Sequence, residues 1–285
     1  MRIKSLVAAF FLFSSITCAF ANTFEISKNK VINYTDHGDG APLVLIHAFP
    51  TDHRLWDAQQ EPLQKYFRVI TLDLIGFGQS SKTNGQAISM NEYATDVKQL
   101  MDHLRIKNAT IGGESMGGYV ALAMLEKYPD KVDSLILSNT QAIADNADTR
   151  AKREVSAKEI LKSGTLGLID GYIKNALSTH ASKQTKETLR AILTSQPATG
   201  MASALRGMSA RQDTSQALAN SSRKILIITS DQDAVLPAEQ GQKMHTLAKN
   251  SKLVLIKNAG HLSSMEQPQQ WNQAVIDMFY VKPIA

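Results

Sequence analysis

Residues 109–118 read Ala-Thr-Ile-Gly-Gly-Glu-Ser-Met-Gly-Gly, and they give the clearest indication of the fold. The short apolar run 109–112 predicts a strand, and residues 116–128 predict a helix. Between them lies the pattern G-x-S-x-G, centred on Ser115. A serine on so sharp a strand-to-helix turn projects its hydroxyl above the sheet, and glycines avoid collisions with the neighbouring backbone. We predict that Ser115 is a nucleophile, with a tight turn carrying an incidental serine as the alternative.

The rest of the chain repeats the same alternation of apolar strands and longer helical patterns. Further strands are predicted at 30–35, 42–46, 67–72, 132–137, 224–229 and 252–256, and further helices at 51–66, 90–104, 237–248 and 268–280. This alternation implies βαβ units and a mainly parallel sheet with helices on both faces. Nearly continuous apolar strands are typical of burial on both sides. We therefore predict the α/β fold class, with a twisted, mainly parallel sheet.

One segment, from about residue 142 to 220, contains no convincing strand. Its composition favours helices punctuated by glycines and prolines, and it predicts four or five short helices inserted between two strands. An insertion at the carboxyl end of a strand lies over the usual ligand crevice of an α/β protein. We predict a helical lid here; an elaboration without substrate contact is the alternative.

Two further groups are predicted at the carboxyl edge that carries Ser115. A serine hydroxyl is a poor nucleophile unless a base removes its proton. His261 follows the last predicted strand, and Asp231 and Asp233 follow the strand before it. Parallel strands point the same way, so these groups fall on one edge of the sheet. His261 is the predicted base, and either aspartate fits the carboxylate that would orient it.

Attack of a serine on a carbonyl carbon gives a tetrahedral intermediate with a negatively charged oxygen, and this oxyanion needs backbone hydrogen-bond donors. The backbone amide of Met116, directly after the nucleophile, is one candidate. The Phe49 amide, in the loop after the 42–46 strand, is the other. We predict that His47, in the same loop, has a structural role.

Together these stretches resemble the α/β-hydrolase superfamily, in the branch of single-domain esterases, enol-lactonases and carbon–carbon bond hydrolases. The resemblance rests on the segments 47–50 (His-Ala-Phe-Pro), 73–80 (Asp-Leu-Ile-Gly-Phe-Gly-Gln-Ser), 113–118, 233–237 (Asp-Ala-Val-Leu-Pro) and 260–268. An aspartate before x-x-x-Pro is the acid position of this family, which selects Asp233 over Asp231. Relatives that dehalogenate or open epoxides carry aspartate at the turn, so Ser115 indicates acyl transfer to water.

The resemblance implies a serine hydrolase that cleaves small carboxylic esters or lactones through an acyl-enzyme. It implies no cofactor, and the sequence contains no metal motif such as H-E-x-x-H. Three alternatives stay open. They are a carbon–carbon bond hydrolase of vinylogous diketones, a cofactor-free perhydrolase, and a non-catalytic binding protein on a hydrolase scaffold.

Residues 1–21 have the order of a secretory signal peptide. Arg2 and Lys4 form a positive head, the uncharged apolar run 5–16 follows, and Ala19 and Ala21 are small residues at a cleavage site. The apolar run is shorter than the about 20 residues that span a bilayer. We predict cleavage after Ala21, an α/β-hydrolase domain over 22–285, and a periplasmic or secreted location. An uncleaved anchor is the alternative.

Composition limits the partners. The chain has 285 residues, of which 43% are hydrophobic, as in ordinary soluble globular proteins. Its net charge of +5 falls to +3, from 29 basic and 26 acidic residues, once residues 1–21 are removed. No dense basic stripe with aromatics occurs, so we expect no nucleic-acid binding. Cleavage would remove Cys18, the one cysteine. We expect no stable membrane insertion, and the sequence does not determine the oligomeric state.

Overall fold

The computed structural model describes residues 22–281, and the predicted signal peptide lies outside them. One sheet of eight strands runs in the order β1-β2-β4-β3-β5-β6-β7-β8. The strands are β1 (Asn22–Ser27), β2 (Lys30–His37), β3 (Ala41–Ile46), β4 (Phe67–Leu72), β5 (Ala109–Glu114), β6 (Val132–Ser138), β7 (Lys224–Ser230) and β8 (Ser251–Ile256). β2 pairs antiparallel with β1 and with β4, and all the other pairs are parallel. The mainly parallel sheet is therefore confirmed.

Helices surround this sheet. They are α1 (Asp57–Leu63), α2 (Met90–His103), α3 (Met116–Lys127), α4 (Ala147–Ser163), α5 (Leu166–Ala176), α6 (Lys183–Thr194), α7 (Ala198–Ser209), α8 (Ser215–Asn220), α9 (Glu239–Leu247), α10 (Ser263–Glu266) and α11 (Pro268–Phe279). Within the described residues, none of these helices is long and apolar enough to cross a membrane.

The side chains of β3 show that both faces of the sheet are covered. Val44 and Ile46 belong to a buried core with α2 and α3, whereas Leu43 and Leu45 belong to a second core with α1 and α11. Successive side chains of a strand point to opposite faces, so the two cores are the two sides of one sheet. This double burial explains why the strand reads as an unbroken apolar run.

The sequence-based boundaries agree closely with the structure. Each predicted strand is present, with ends that differ by at most two residues. β1 was not predicted, because it is an edge strand whose short alternation, with Phe24 and Ile26 against the core, gives a weak pattern. The predicted helix over 51–66 is wrong at both ends. Asp52 accepts a hydrogen bond from the Arg54 amide and starts a 3-10 helix first, and α1 ends at Leu63.

Five helices, α4 to α8, lie between β6 and β7 and correspond to the predicted insertion. α7 packs closely on the loops that follow β4. The backbone of Gly200 meets that of Gly76, and Gly207 lies against the carbonyl of Ile88. In contrast, Gly171 of α5 has nothing within 4 Å of the position that a Cβ would take. The insertion is therefore tightly seated at α7 and open along part of α5.

This difference predicts opposite effects for two glycine-to-alanine changes. Gly207→Ala would force a methyl group against the Ile88 carbonyl and should lower the free energy of unfolding by about 1–3 kcal/mol. Gly171→Ala fills open space in a helix and should raise it by about 0.5–1 kcal/mol. Urea unfolding of both variants measures the two effects, and equal values for them would contradict the packing described for α7.

Candidate active site

Ser115 sits on the turn between β5 and α3 with φ 55° and ψ −114°, a conformation that non-glycine residues seldom adopt. The two pattern glycines allow the turn to close. A Cβ at Gly113 would overlap the backbone of Gly117, and one at Gly117 would overlap the carbonyl of Ile46 in β3. Ser115 is 9% exposed, so its hydroxyl is at the surface of a cavity rather than of the molecule.

His261 contacts the serine directly. Its Nε2 lies 2.7 Å from the Ser115 Oγ, and the ring is buried. The loop that carries it follows β8 and is fixed by its backbone, because the His261 amide donates to the carbonyl of Ala176 at 2.7 Å. Glu266 accepts from the Gly260 amide at 2.8 Å. Burial raises the pKa of the Glu266 carboxyl, against hydrogen bonds from Ser178 and the Gly260 amide that lower it.

Asp233 contacts the other ring nitrogen. Its Oδ2 lies 2.8 Å from His261 Nδ1, while its Oδ1 accepts from the Val235 and Leu236 amides, each at 2.8 Å. Burial alone would raise the pKa of the Asp233 carboxyl, but His261 and these donors hold it below its usual value. Because an ionised carboxylate only accepts, Nδ1 carries the imidazole proton and Nε2 is left to accept from the Ser115 hydroxyl.

The structure therefore brings together the three side chains that the sequence singled out. It also separates the two aspartates, which the residue pattern alone did not. Asp231 is exposed and its Oδ1 accepts from the Ala259 amide at 3.4 Å, whereas the hydrogen bond to the imidazole is made by Asp233. The hydrogen bonds run from Ser115 to His261 and from His261 to Asp233, which is the geometry of a nucleophile, a base and an orienting acid.

The two amides predicted to bind an oxyanion also lie at this site. Met116 is the first residue of α3, so its N–H has no acceptor within the helix. Phe49 lies in the turn after β3 and lines the same cavity as Ser115. In the described part of the chain, neither N–H donates to a protein acceptor. Both donors are therefore available to a ligand.

Two side chains hold the loop that carries Phe49. His47 Nδ1 lies 2.9 Å from the Ala48 carbonyl, and His47 Nε2 accepts from the Leu74 amide at 3.1 Å. Burial lowers the pKa of His47, so it stays neutral and bridges two loops. From α5, the Tyr172 hydroxyl donates to the Phe49 carbonyl at 2.6 Å. Sequence reasoning missed Tyr172, because nothing in the helical pattern of the insertion indicates which residue points at the loop.

A pocket of about 560 Å³ opens above Ser115 and His261. Its apolar wall includes residues of the insertion and of the loop after β7, namely Ile143, Leu205, Met208, Val235 and Leu236. Its polar wall includes Lys152 and Arg153 from α4. Arg153 is paired with the buried Asp145 at 2.5 Å. The pocket thus joins an apolar surface near the serine to a polar region, where Lys152 and the ion pair of Arg153 and Asp145 line the wall.

Among residues 22–281, one group of side chains, Asp52, His53 and Asp73, places possible metal ligands within 4.8 Å of one another. These groups already have partners. His53 Nδ1 lies 2.6 Å from Asp73 Oδ1, and Arg54 pairs with Asp52 at 2.6 Å. Asp73 also accepts from the Gln79 amide at 2.8 Å. We assign the cluster to the fixing of the loops after β3 and β4.

Comparisons with known proteins agree with this geometry. Residues 41–268 match the family model described as the alpha/beta hydrolase fold. The chain is 30% identical over 257 residues to 3-oxoadipate enol-lactonase 2 of Acinetobacter baylyi, which covers 87% of this chain and 93% of the relative. It is 32% identical to a thermophilic esterase from Thermogutta terrifontis, with a TM-score of 0.87 over 91% of this chain and 97% of that one. An enol-lactonase from Burkholderia xenovorans LB400, 24% identical with a TM-score of 0.80 over 87% and 96%, shows the fold alone. The predicted fold is confirmed.

The separation of the two aspartates predicts different effects of the same substitution. Asp233→Asn keeps the shape but lets the side chain donate to Nδ1, which favours the wrong imidazole tautomer, so kcat should fall by about 10⁴-fold. Asp231→Asn, on the exposed neighbour, should leave kcat within about twofold of the wild type, since a surface change away from the site has little effect. Steady-state kinetics on an activated ester compares them, and a larger loss for Asp231→Asn would overturn the assignment.

Proposed function

The chain belongs to the alpha/beta hydrolase family, and on that premise we propose that it is a serine hydrolase of small carboxylic esters or lactones. The observation that carries the proposal is the hydrogen-bonded series of Ser115, His261 and Asp233 at the floor of a pocket. The esterase and enol-lactonase named above support the substrate class. A pocket of about 560 Å³ falls within the range of small-molecule sites.

In the first half-reaction, the Ser115 Oγ attacks the carbonyl carbon of the bound ester while His261 Nε2 takes the hydroxyl proton. The carbonyl π bond breaks and its electron pair becomes the oxyanion, which the amides of Phe49 and Met116 stabilise. Asp233 stabilises the imidazolium without taking its proton. The carbonyl re-forms as the bond between the acyl carbon and the alkoxide oxygen of the ester breaks. That oxygen takes the proton of the imidazolium, so the alcohol leaves and an acyl-enzyme remains.

In the second half-reaction, water replaces the alcohol. His261 removes a proton from the water as it attacks the acyl carbon, and the same two amides stabilise the second oxyanion. Collapse of the intermediate returns the proton to the Ser115 Oγ and releases the carboxylic acid. For a lactone the two products are one molecule, because the alcohol and the acid stay joined.

A panel of short p-nitrophenyl esters, lactones and vinylogous diketones tests this proposal. We expect turnover of esters or lactones by the wild type and a loss of about 10⁶-fold in kcat for Ser115→Ala. Ser134→Ala, a change at a buried serine near the amino end of β6 and away from the pocket, is the matched control for protein quality. Cleavage of the diketones alone, or ester turnover that survives in Ser115→Ala, would contradict the proposal.

We also propose that residues 1–21 direct export and are removed after Ala21. The first described residue of β1 is Asn22, whose pairing partner in β2 is Tyr34, so this cleavage keeps every strand among the described residues. The full chain, expressed in a Gram-negative host, should be found in the periplasm or the medium with Asn22 as its first residue. Ala21→Leu, which places a large side chain at the cleavage site, should leave the precursor uncut. Cytoplasmic protein that retains residues 1–21 would contradict export.

A further inference from the structure

A buried polar cluster lies behind the three side chains of the active site, and the reaction described above does not use it. It consists of Glu114 before the nucleophile, Ser138 and Asn139 at the end of β6, and Ser263 and Ser264 after the histidine. All five residues are at most 3% exposed. Asn139 has φ 44°, a left-handed backbone that asparagine tolerates better than most residues. Burial of polar groups such as these lowers the stability of the fold unless their hydrogen bonds are satisfied.

Asn139 contacts the carboxylate that orients the histidine. Its Nδ2 donates to Asp233 Oδ2 at 2.9 Å, and the same oxygen accepts from His261 Nδ1 at 2.8 Å. The other Nδ2 proton goes to Ser230 Oγ at 2.6 Å. In the sheet, β6 lies between β5, which carries Ser115, and β7, which carries Asp233. Asn139 is therefore the residue that fills the edge of the sheet between the nucleophile and the acid.

The contacts of the two neighbouring serines determine which way the amide points. The Ser230 hydroxyl donates its one proton to the Gly260 carbonyl, so its oxygen is left to accept from Asn139. On the other side, the Ser263 hydroxyl lies 2.6 Å from Asn139 Oδ1 and donates to it. A flipped amide would set its oxygen against the Asp233 carboxylate and against the Ser230 oxygen, whose proton is already donated. The amide is thus fixed as a donor to Asp233.

Glu114 holds the segment that carries Ser263. Its Oε2 accepts from the Ser264 hydroxyl at 2.7 Å, and its Oε1 accepts from the Ser264 amide at 3.2 Å. The Ser138 hydroxyl, which itself accepts from Trp271 Nε1 at 3.1 Å, donates to the same Oε1 at 3.1 Å. Glu114 therefore ties the residues that follow His261 to β5 and β6.

From these contacts, and on the basis of the function proposed above, we propose that Asn139 is a positioning residue of the hydrolytic reaction. The Asn139 amide holds the Asp233 carboxylate in the orientation that aligns His261 with Ser115. Glu114 in turn anchors the segment that carries the Ser263 hydroxyl, which orients the Asn139 amide. Asn139 touches neither substrate nor nucleophile, so its effect on the reaction passes through Asp233. Loss of alignment at a reacting centre costs rate more than binding.

A double-mutant cycle tests this role. Asn139→Gly removes the amide and keeps the left-handed backbone. We expect kcat to fall by about 10- to 100-fold with KM within about twofold of the wild type. In an Asp233→Asn background the same change should cost no further activity, because the carboxylate it positions is gone. Asn29→Gly is the matched control, since Asn29 is an exposed asparagine with φ 67° in the turn between β1 and β2.

The possible outcomes separate the two proposals. A wild type and Asn29→Gly that turn over no ester or lactone contradict the proposed function. In an active wild type, the positioning role is overturned if Asn139→Gly keeps kcat within about twofold, or if it loses the same factor in both backgrounds. If Asn139→Gly does not fold, Asn139→Asp replaces it in the test, because aspartate has nearly the same shape as asparagine. At pH 8 it faces Asp233 with a second carboxylate, and kcat within about twofold of the wild type would equally overturn the role.

Discussion

The turn at Ser115 places the proposed nucleophile in a backbone conformation that the surrounding structure has to maintain. Such a conformation costs on the order of 1–3 kcal/mol and persists only when its neighbours determine it. Here they are the Ser115 amide bonded to the Ser138 carbonyl at 2.9 Å and the Thr140 hydroxyl bonded to the Ser115 carbonyl at 2.7 Å. Close approach of Gly117 to Ile46 completes the constraint. The position of the Ser115 hydroxyl next to His261 is consequently set by the fixed backbone of the turn.

The remaining groups come from the same edge of the sheet. β5, β6, β7 and β8 are neighbours, and their carboxyl ends carry in turn Ser115, Asn139, Asp233 and His261. Neighbouring strands lie about 4.8 Å apart, so Asn139 after β6 reaches Asp233 after β7 directly. β8 is three strands away from β5, so the loop after β8 has to reach back across this edge to bring His261 to Ser115. The insertion contributes to the same edge, since α5 supplies the hydroxyl of Tyr172 to the Phe49 carbonyl. It thus supports the predicted oxyanion loop as well as lining the pocket.

The strands and the candidate triad could be predicted from the sequence because each is encoded locally. A run of apolar residues predicts a buried strand, and a polar residue directly after such a run predicts a place at the sheet edge. Asp233 needed the family resemblance, since Asp231 has an equivalent place in the chain. Asn139 and Glu114 were not predicted to act, although Asn139 also follows a strand directly. The contacts of Asn139 with Asp233 and of Glu114 with Ser264 join residues more than 90 positions apart. The direction of the amide also depends on hydroxyl partners that no sequence pattern reports.

We propose that His261 activates Ser115 through the 2.7 Å contact between Nε2 and Oγ. The most direct measurement is the rate at which a fluorophosphonate labels the protein, with the modified residue located by peptide mass mapping. We expect a single label on Ser115 in the wild type and labelling slowed by several orders of magnitude in His261→Ala. A label on another residue, or an equal rate in the two proteins, would contradict it.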